Sequence, residues 1–225
     1  LPDSFGNLKN LEILDLSHNK LDKLPQSFRN LEKLEYLKLY GNRFEKVPEQ
    51  LKYLRTLSYL ELGLNEINSI KQGLIQIKNL EKLGLGGNKI EKNSLKRLKY
   101  LENLRILDLY DNNIKELPFS FGDLCQIKQL SIHNNQLESL PKSFVKLTNL
   151  EYVDLSWNNF EKIPTELLKL PILRRINLCG NKINSLPERI FHSKNLEEID
   201  LSHNKIQKDD KKSAILREPK ITVKF

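Results

Sequence analysis

Apolar and polar residues follow one another along this chain in an order that returns every 23 residues. LEILDLSHNKL opens at Leu11, LEYLKLYGNRF at Leu34 and LSYLELGLNEI at Leu57. LEKLGLGGNKI opens at Leu80, LRILDLYDNNI at Leu104 and IKQLSIHNNQL at Ile127. LEYVDLSWNNF opens at Leu150, LRRINLCGNKI at Leu173 and LEEIDLSHNKI at Leu196; the step from Leu80 to Leu104 alone is 24 residues. Each phrase reads L-x-x-L-x-L-x-x-N-x-L, with Ile, Val or Phe at some leucine positions. Its fourth and sixth positions alternate with a period of two, so they share one face of a short strand. In-register copies predict stacked coils whose strands pair in parallel, about 4.8 Å apart.

The ninth position is Asn19, Asn42, Asn65, Asn88, Asn112, Asn135, Asn158, Asn181 and Asn204. A polar side chain aimed inward survives only when its hydrogen bonds are met, here by backbone of adjacent coils. The unbroken column therefore reads as structural. Between the phrases, one apolar column runs Leu24, Val47, Ile70, Leu117, Leu140, Ile163, Leu186. A second runs Phe28, Leu51, Leu74, Phe121, Phe144, Leu167, Ile190. Prolines such as Pro25, Pro48 and Pro118 lie between them and disfavour long helices, so turns and short 3-10 pieces are expected there. The fourth repeat has no such proline. Leu95, Leu98 and Leu101 follow Ser94, which predicts a short α-helix from about Ser94 to Lys99 with Ser94 as its N-cap.

The chain is expected to form a single solenoid domain over residues 1–225. Residues 1–10 repeat the outer half of a coil and read as the remnant of a preceding repeat. Residues 11–206 carry the nine motifs. Residues 207–225 read as a C-terminal cap, with a short helix stopped by Pro219 and a closing strand, ITVKF, whose Ile221 takes the place of Ile199. The edge at Leu14 and the absence of methionine lead us to expect further repeats or a cap ahead of Leu1 in the gene product.

This phrase is the leucine-rich repeat signature, and the sequence resembles that family over nearly its whole length. The x-x-L-P-x-x-F-x-x-L half-repeats are similar to the 23-residue class of Ras-suppressor-type and many bacterial proteins. The Lys/Glu/Asn-rich composition is similar to that of secreted spirochaete-type members. The resemblance implies an α/β repeat fold: a right-handed solenoid in a horseshoe arc, with a concave parallel sheet of about ten strands and a convex side of turns, 3-10 pieces and one short helix. It implies a secreted or cell-surface location, with the cytoplasm as the alternative.

Composition narrows the function classes. Apolar residues make up 39% and charged residues 29%, a globular balance, and no stretch is long and apolar enough to span a bilayer. Cys125 and Cys179 are too few for a disulfide framework or a four-cysteine metal site. The net charge is +8, yet the outward strand positions carry twelve carboxylates against six cations. The strand face is acidic and unsuited to phosphate backbones, so no specific nucleic-acid partner is expected. The rest of the surface is strongly basic, which supports an alternative role in adhesion to polyanions. An intracellular scaffold, or assembly through the open first strand, are further alternatives.

No catalytic constellation forms. His18 and His203 lie eight coils apart, roughly 40 Å at the strand spacing, and Asp108 and Asp154 lie about 10 Å apart, outside the range of glycosidase pairs. LGLGGNK suggests a phosphate loop until Gly84 is placed within a strand rather than before a helix. Gly84, Gly86 and Gly87, with Gly63, then predict a bare patch on the sheet. We expect no enzyme, no cofactor and no metal, but a monomeric protein-recognition module, host–pathogen contact included. Its concave face gathers Tyr110, His133, Tyr152 and Trp157, flanked by Asp108, Asp111 and Asp154, with Tyr36, Tyr40, Tyr59 and Arg175 on the same face.

Overall fold

The computed structural model describes residues 1–188, 190, 193, 195–207 and 221–225. It comprises two compact units, Leu1–Asn112 and Asn113–Phe225. The first carries strands β1 (Ile13–Asp15), β2 (Tyr36–Lys38), β3 (Tyr59–Glu61), β4 (Lys82–Gly84) and β5 (Ile106–Asp108). They pair in parallel and in the order of the chain, with Leu14, Leu37, Leu60, Leu83 and Leu107 aligned across them. The second carries β6 (Gln129–Ser131), β7 (Tyr152–Asp154), β8 (Arg175–Asn177), β9 (Glu198–Asp200) and β10 (Thr222–Lys224), also parallel. Each unit is a leucine-rich-repeat solenoid.

The periodic leucines make the core. Leu37, Leu60, Leu83 and Leu107 in the first unit, and Leu130, Val153 and Ile199 in the second, are wholly buried. Each fully buried side chain contributes about 1.5–3 kcal/mol. Phe28, Phe121 and Phe144 close the outer side. There the chain forms 3-10 turns, among them Gln26–Asn30, Glu49–Tyr53, Phe119–Asp123 and Lys142–Lys146. Proline opens each of these: extended backbone at Pro25, Pro118 and Pro141 lets its carbonyl accept from the N–H of Phe28 (3.0 Å), Phe121 (2.9 Å) and Phe144 (2.8 Å).

The asparagine column does what its burial requires. The Asn65 amide donates to the carbonyls of Leu39 (3.0 Å), Leu62 (3.0 Å) and Gly63 (3.1 Å), and its oxygen accepts from the N–H of Phe44 (3.0 Å). Asn158 repeats this with Ile132, Leu155, Ser156 and Leu137. A second polar ladder stands just before the phrases. Thr56 donates to Leu34, Asn79 to Arg55, Asn103 to Lys78, Asn149 to Cys125 and Asn195 to Pro171, each reaching the backbone of the coil before it.

Two expectations shift. The α-helix of the fourth repeat, α1, spans Lys92–Leu95 and is followed by a 3-10 turn, Leu98–Tyr100. Glu91, not Ser94, stands at its cap. The Glu91 N–H is tied to the Asn68 carbonyl of the previous coil (3.1 Å), and its own carbonyl receives the Ser94 N–H (3.0 Å). Ser94 is therefore already inside the first turn, and buried. The closing strand exists, but Val223 rather than Ile221 stands opposite Ile199. A slip of two residues keeps the same face inward. The helix expected before Pro219 falls at 208–220, outside the described residues.

Candidate functional site

One backbone feature positions the strand face throughout. The eighth position of every phrase is left-handed: His18, Leu64, Asp111, Asn134, Trp157 and His203 have φ between 48° and 57°, and Gly41, Gly87 and Gly180 between 63° and 67°. This conformation directs its N–H to the seventh carbonyl of the next coil, as in His18 to Tyr40 (2.8 Å), Leu64 to Gly86 (2.8 Å) and Trp157 to Cys179 (2.8 Å). Glycine, Asn and Asp adopt this region readily. Leu64 and Trp157 do not, and such strain costs on the order of 1–3 kcal/mol each. Both are exposed, Leu64 at 43% and Trp157 at 56%.

A second feature concerns the fifth position. Its side chain turns back to cap the strand end: Asp15 accepts the N–H of Ser17 (2.9 Å), Glu61 that of Gly63 (3.0 Å), Asp108 that of Tyr110 (3.1 Å), Asp154 that of Ser156 (2.9 Å) and Asp200 that of Ser202 (2.9 Å). Asn177 does the same for Cys179 (3.1 Å). The carboxylates singled out for partner contact thus hold their own coils together as well. Asp or Asn as the last residue of a strand, accepting the N–H two residues on, is a recognisable local-turn signal.

In the first unit the aromatic faces are spent on each other. Tyr36 and Tyr59 stack with ring centres 3.8 Å apart and planes 19° apart. Lys38 lies over the Tyr36 ring (5.5 Å) and Lys82 over the Tyr59 ring (4.7 Å). Burial, with the Tyr36 hydroxyl beside it, pushes the Tyr59 phenol up. The hydroxyls of Tyr40 and Tyr110 meet at 3.4 Å, and the Tyr110 phenol is raised, chiefly by burial. His18 meets the Tyr40 ring edge-on, centres 5.3 Å apart. Asp111 is exposed.

The glycines between these tyrosines are seats rather than a bare patch. A Cβ on Gly86 would overlap the Tyr110 ring, one on Gly84 the Glu61 carboxylate, and one on Gly87 the Leu64 side chain; a Cβ on Gly63 would come within 2.9 Å of Tyr40. Each glycine lets a side chain of a neighbouring coil lie flat on the sheet. Glu61 is partly shielded there, and burial pushes its carboxyl up despite the Gly63 N–H, Lys82 and Lys38, which favour the charge.

In the second unit Asp154 organises the face. It accepts the Ser156 hydroxyl (2.6 Å), the Tyr152 hydroxyl (3.2 Å) and the Asn177 amide (3.1 Å) in addition to its capping bond. The Arg175 guanidinium covers the Tyr152 ring (5.4 Å), and burial and then Asp154 push the Tyr152 phenol up to about 12. Tyr152, Arg175, Asn177, Glu198 and Asp200 border a depression of about 360 Å³, beside the Glu198–Lys224 ion pair. Trp157 leans over Gly180, whose Cβ would come within 2.6 Å of it, and stacks loosely on His203 (6.1 Å, 27°). His133 is half-buried on this face.

Of the residues expected to make one patch, Tyr110, Asp108 and Asp111 thus belong to the first unit, with Tyr36, Tyr40 and Tyr59. His133, Tyr152, Asp154, Trp157 and Arg175 belong to the second. Cys179 is half-buried and its thiol is raised by burial and by Asp200 and Asp154, the opposite of an activated nucleophile. Among the described residues no cluster of His, Cys, Asp and Glu could hold a metal ion, and no helix is long and apolar enough to cross a membrane.

The leucine rich repeat family profile matches residues 2–44, 78–137, 102–160 and 171–214. No curated protein matches the sequence. Among solved structures, a leucine-rich-repeat protein of Leptospira interrogans is 32% identical, with a TM-score of 0.92 over 100% of this chain and 57% of that one. This chain therefore spans little more than half of that relative's length. An internalin of Listeria monocytogenes is 22% identical, with a TM-score of 0.73 over 99% of this chain and 68% of that one, a likeness of fold alone. The ectodomain of the Arabidopsis thaliana membrane receptor kinase GASSHO1, solved in complex with Casparian strip integrity factor 2, is 28% identical, with a TM-score of 0.75 over 92% of this chain and 26% of that one. With its repeats matched along most of its length, the chain belongs to the leucine-rich repeat family.

Proposed function

We propose that this chain is a non-enzymatic recognition module that binds a protein partner on its strand face, with Trp157 as the principal anchor. Family members commonly mediate protein–protein binding, and the plant ectodomain above was solved with such a factor. The observation that carries the reading here is Trp157 itself. It is held at a φ of 53° while 56% of it faces solvent. The left-handed backbone belongs to the repeat and is repaid by the N–H bond to Cys179. That bond asks for no indole at this position, and exposed Trp is among the residues most enriched at binding hot spots. Asp154 and Asp200 lie on the same face and favour a partner with basic character, adding selectivity more than affinity.

Selection of displayed peptides on the folded protein tests this. Peptides enriched on the wild type should lose more than about 2 kcal/mol, roughly thirtyfold in affinity, on Trp157→Ala. They should keep their affinity on Phe119→Ser, which alters an exposed aromatic on the outer side. Equal affinity for wild type and a folded Trp157→Ala variant removes Trp157, and this reading with it.

A further inference from the structure

Tyr36 and Tyr59 do not suit the role just proposed. Each ring has one face on the other and a lysine on its second face, so neither offers a free π-face to a partner. What the pair does offer is overlap of two phenols on adjacent strands: Tyr36 and Tyr59 are direct backbone partners. We propose that they form an oxidative modification site, a tyrosine pair that a haem peroxidase with hydrogen peroxide, or another one-electron oxidant, couples into intramolecular dityrosine.

The chemistry closes. Each phenol gives up one electron and one proton, leaving a phenoxyl radical with spin on its oxygen and its two ortho carbons. One ortho carbon of each ring joins in a new carbon–carbon bond. The hydrogen on each of those carbons then moves to the phenol oxygen of the same ring, which restores aromaticity. The pair loses two hydrogen atoms in all, and one hydrogen peroxide takes up the two electrons and two protons as two molecules of water. Ring centres at 3.8 Å with nearly parallel planes bring ortho carbons of the two rings close together before any reaction. The strands hold the two backbones about 4.8 Å apart throughout. Both rings remain half-exposed, so their edges are reachable from solvent.

The other tyrosine pair on this unit is an internal comparison. Tyr40 and Tyr110 meet at their hydroxyls from coils three repeats apart, and their rings rest on Gly63 and Gly86. Coupling their ortho carbons requires both rings to leave those seats.

The full chain, treated briefly with horseradish peroxidase and hydrogen peroxide at low protein concentration, tests the assignment. The expected product is a monomer two hydrogen atoms lighter, with dityrosine fluorescence, in which peptides containing residues 36 and 59 are joined. Tyr59→Phe and Tyr36→Phe, each checked for an unchanged thermal transition, should lose that product, and Tyr40→Phe should retain it. A cross-link joining Tyr40 to Tyr110, cross-links only between chains, or an undiminished product in folded Tyr59→Phe and Tyr36→Phe each overturn the proposal.

Discussion

The strand faces of the two units share one backbone plan and use their aromatic residues in opposite ways. In the first unit, tyrosines lie down on glycines of neighbouring coils and meet one another, Tyr36 on Tyr59 and Tyr40 against Tyr110. In the second, Tyr152 is drawn into a polar network around Asp154, while Trp157 is left largely in solvent at a strained φ. The repeat fixes where a side chain starts. The size of the residue one or two coils away decides whether it can lie flat, and its backbone conformation decides whether it can be covered. A surface rich in aromatic residues is therefore not by itself a binding surface.

If the shared plan is sound, breaking it should cost both units the same, and this is the largest effect expected. Asn65→Ala in the first unit and Asn158→Ala in the second each orphan a buried N–H, of Phe44 and Leu137, and several carbonyls. Each should lower stability by about 3 kcal/mol or more, measured by urea unfolding. A loss confined to one of them would mean that the asparagine column is not equivalent along the chain.

The repeat makes much of this readable in the sequence. Strand positions, the asparagine column and the proline-led outer turns follow from residues that recur at fixed intervals, because every coil meets the same neighbours. Departures were harder. Ser94 looked like a cap because only its own turn is visible in sequence, whereas the contact that places the helix start, Glu91 to Asn68, comes from the previous coil. The register of β10 is set by pairing, not by counting through an irregular segment. The glycines of LGLGGNK read as a gap because nothing local says that Glu61 and Tyr110 reach over Gly84 and Gly86 from either side. Two columns are legible in the sequence: the fifth-position carboxylates, whose spacing is that of turn caps as well as of surface charge, and the amide ladder of Asn79, Asn103 and Asn149, which recurs at the coil spacing but takes on a role only in the structure.

The next effect in size concerns the seats. Gly86→Ala places a methyl group where the Tyr110 ring lies. It should unseat Tyr110, break its contact with Tyr40 and cost about 1–3 kcal/mol, with a change in near-ultraviolet circular dichroism. An unaltered spectrum and stability would show that the first unit's tyrosines are not held by their glycines. Smaller still is the release of backbone strain. Leu64→Asn suits the left-handed region better and should raise stability by about 1 kcal/mol. Trp157→Asn gains the same but loses packing on Gly180 and His203, so its stability should stay within about 1 kcal/mol of wild type. A large loss in Trp157→Asn would make Trp157 a structural residue and erase the contrast with the first unit.

The smallest effect separates the units by pH. Burial raises the Glu61 carboxyl above its ordinary value of 4.5, with Asp108 adding to the rise and Lys82 and Lys38 opposing it. In the folded chain Glu61 therefore holds its proton at pH values where the unfolded chain has released it. The folded state binds more protons in that window, so stability falls as pH rises. The contribution is fully present below about pH 4.5 and is lost as pH climbs through the raised folded value. Glu61→Gln keeps the shape without the charge, so it should be slightly more stable than wild type at neutral pH and should remove this slope. The second unit has the neutral Asn177 between Asp154 and Asp200 along its fifth-position column, so Asn177→Gln should leave the slope as it was. Urea midpoints taken from pH 4 to 8 decide the matter: a slope of the same size in Glu61→Gln as in wild type would place the titrating group elsewhere.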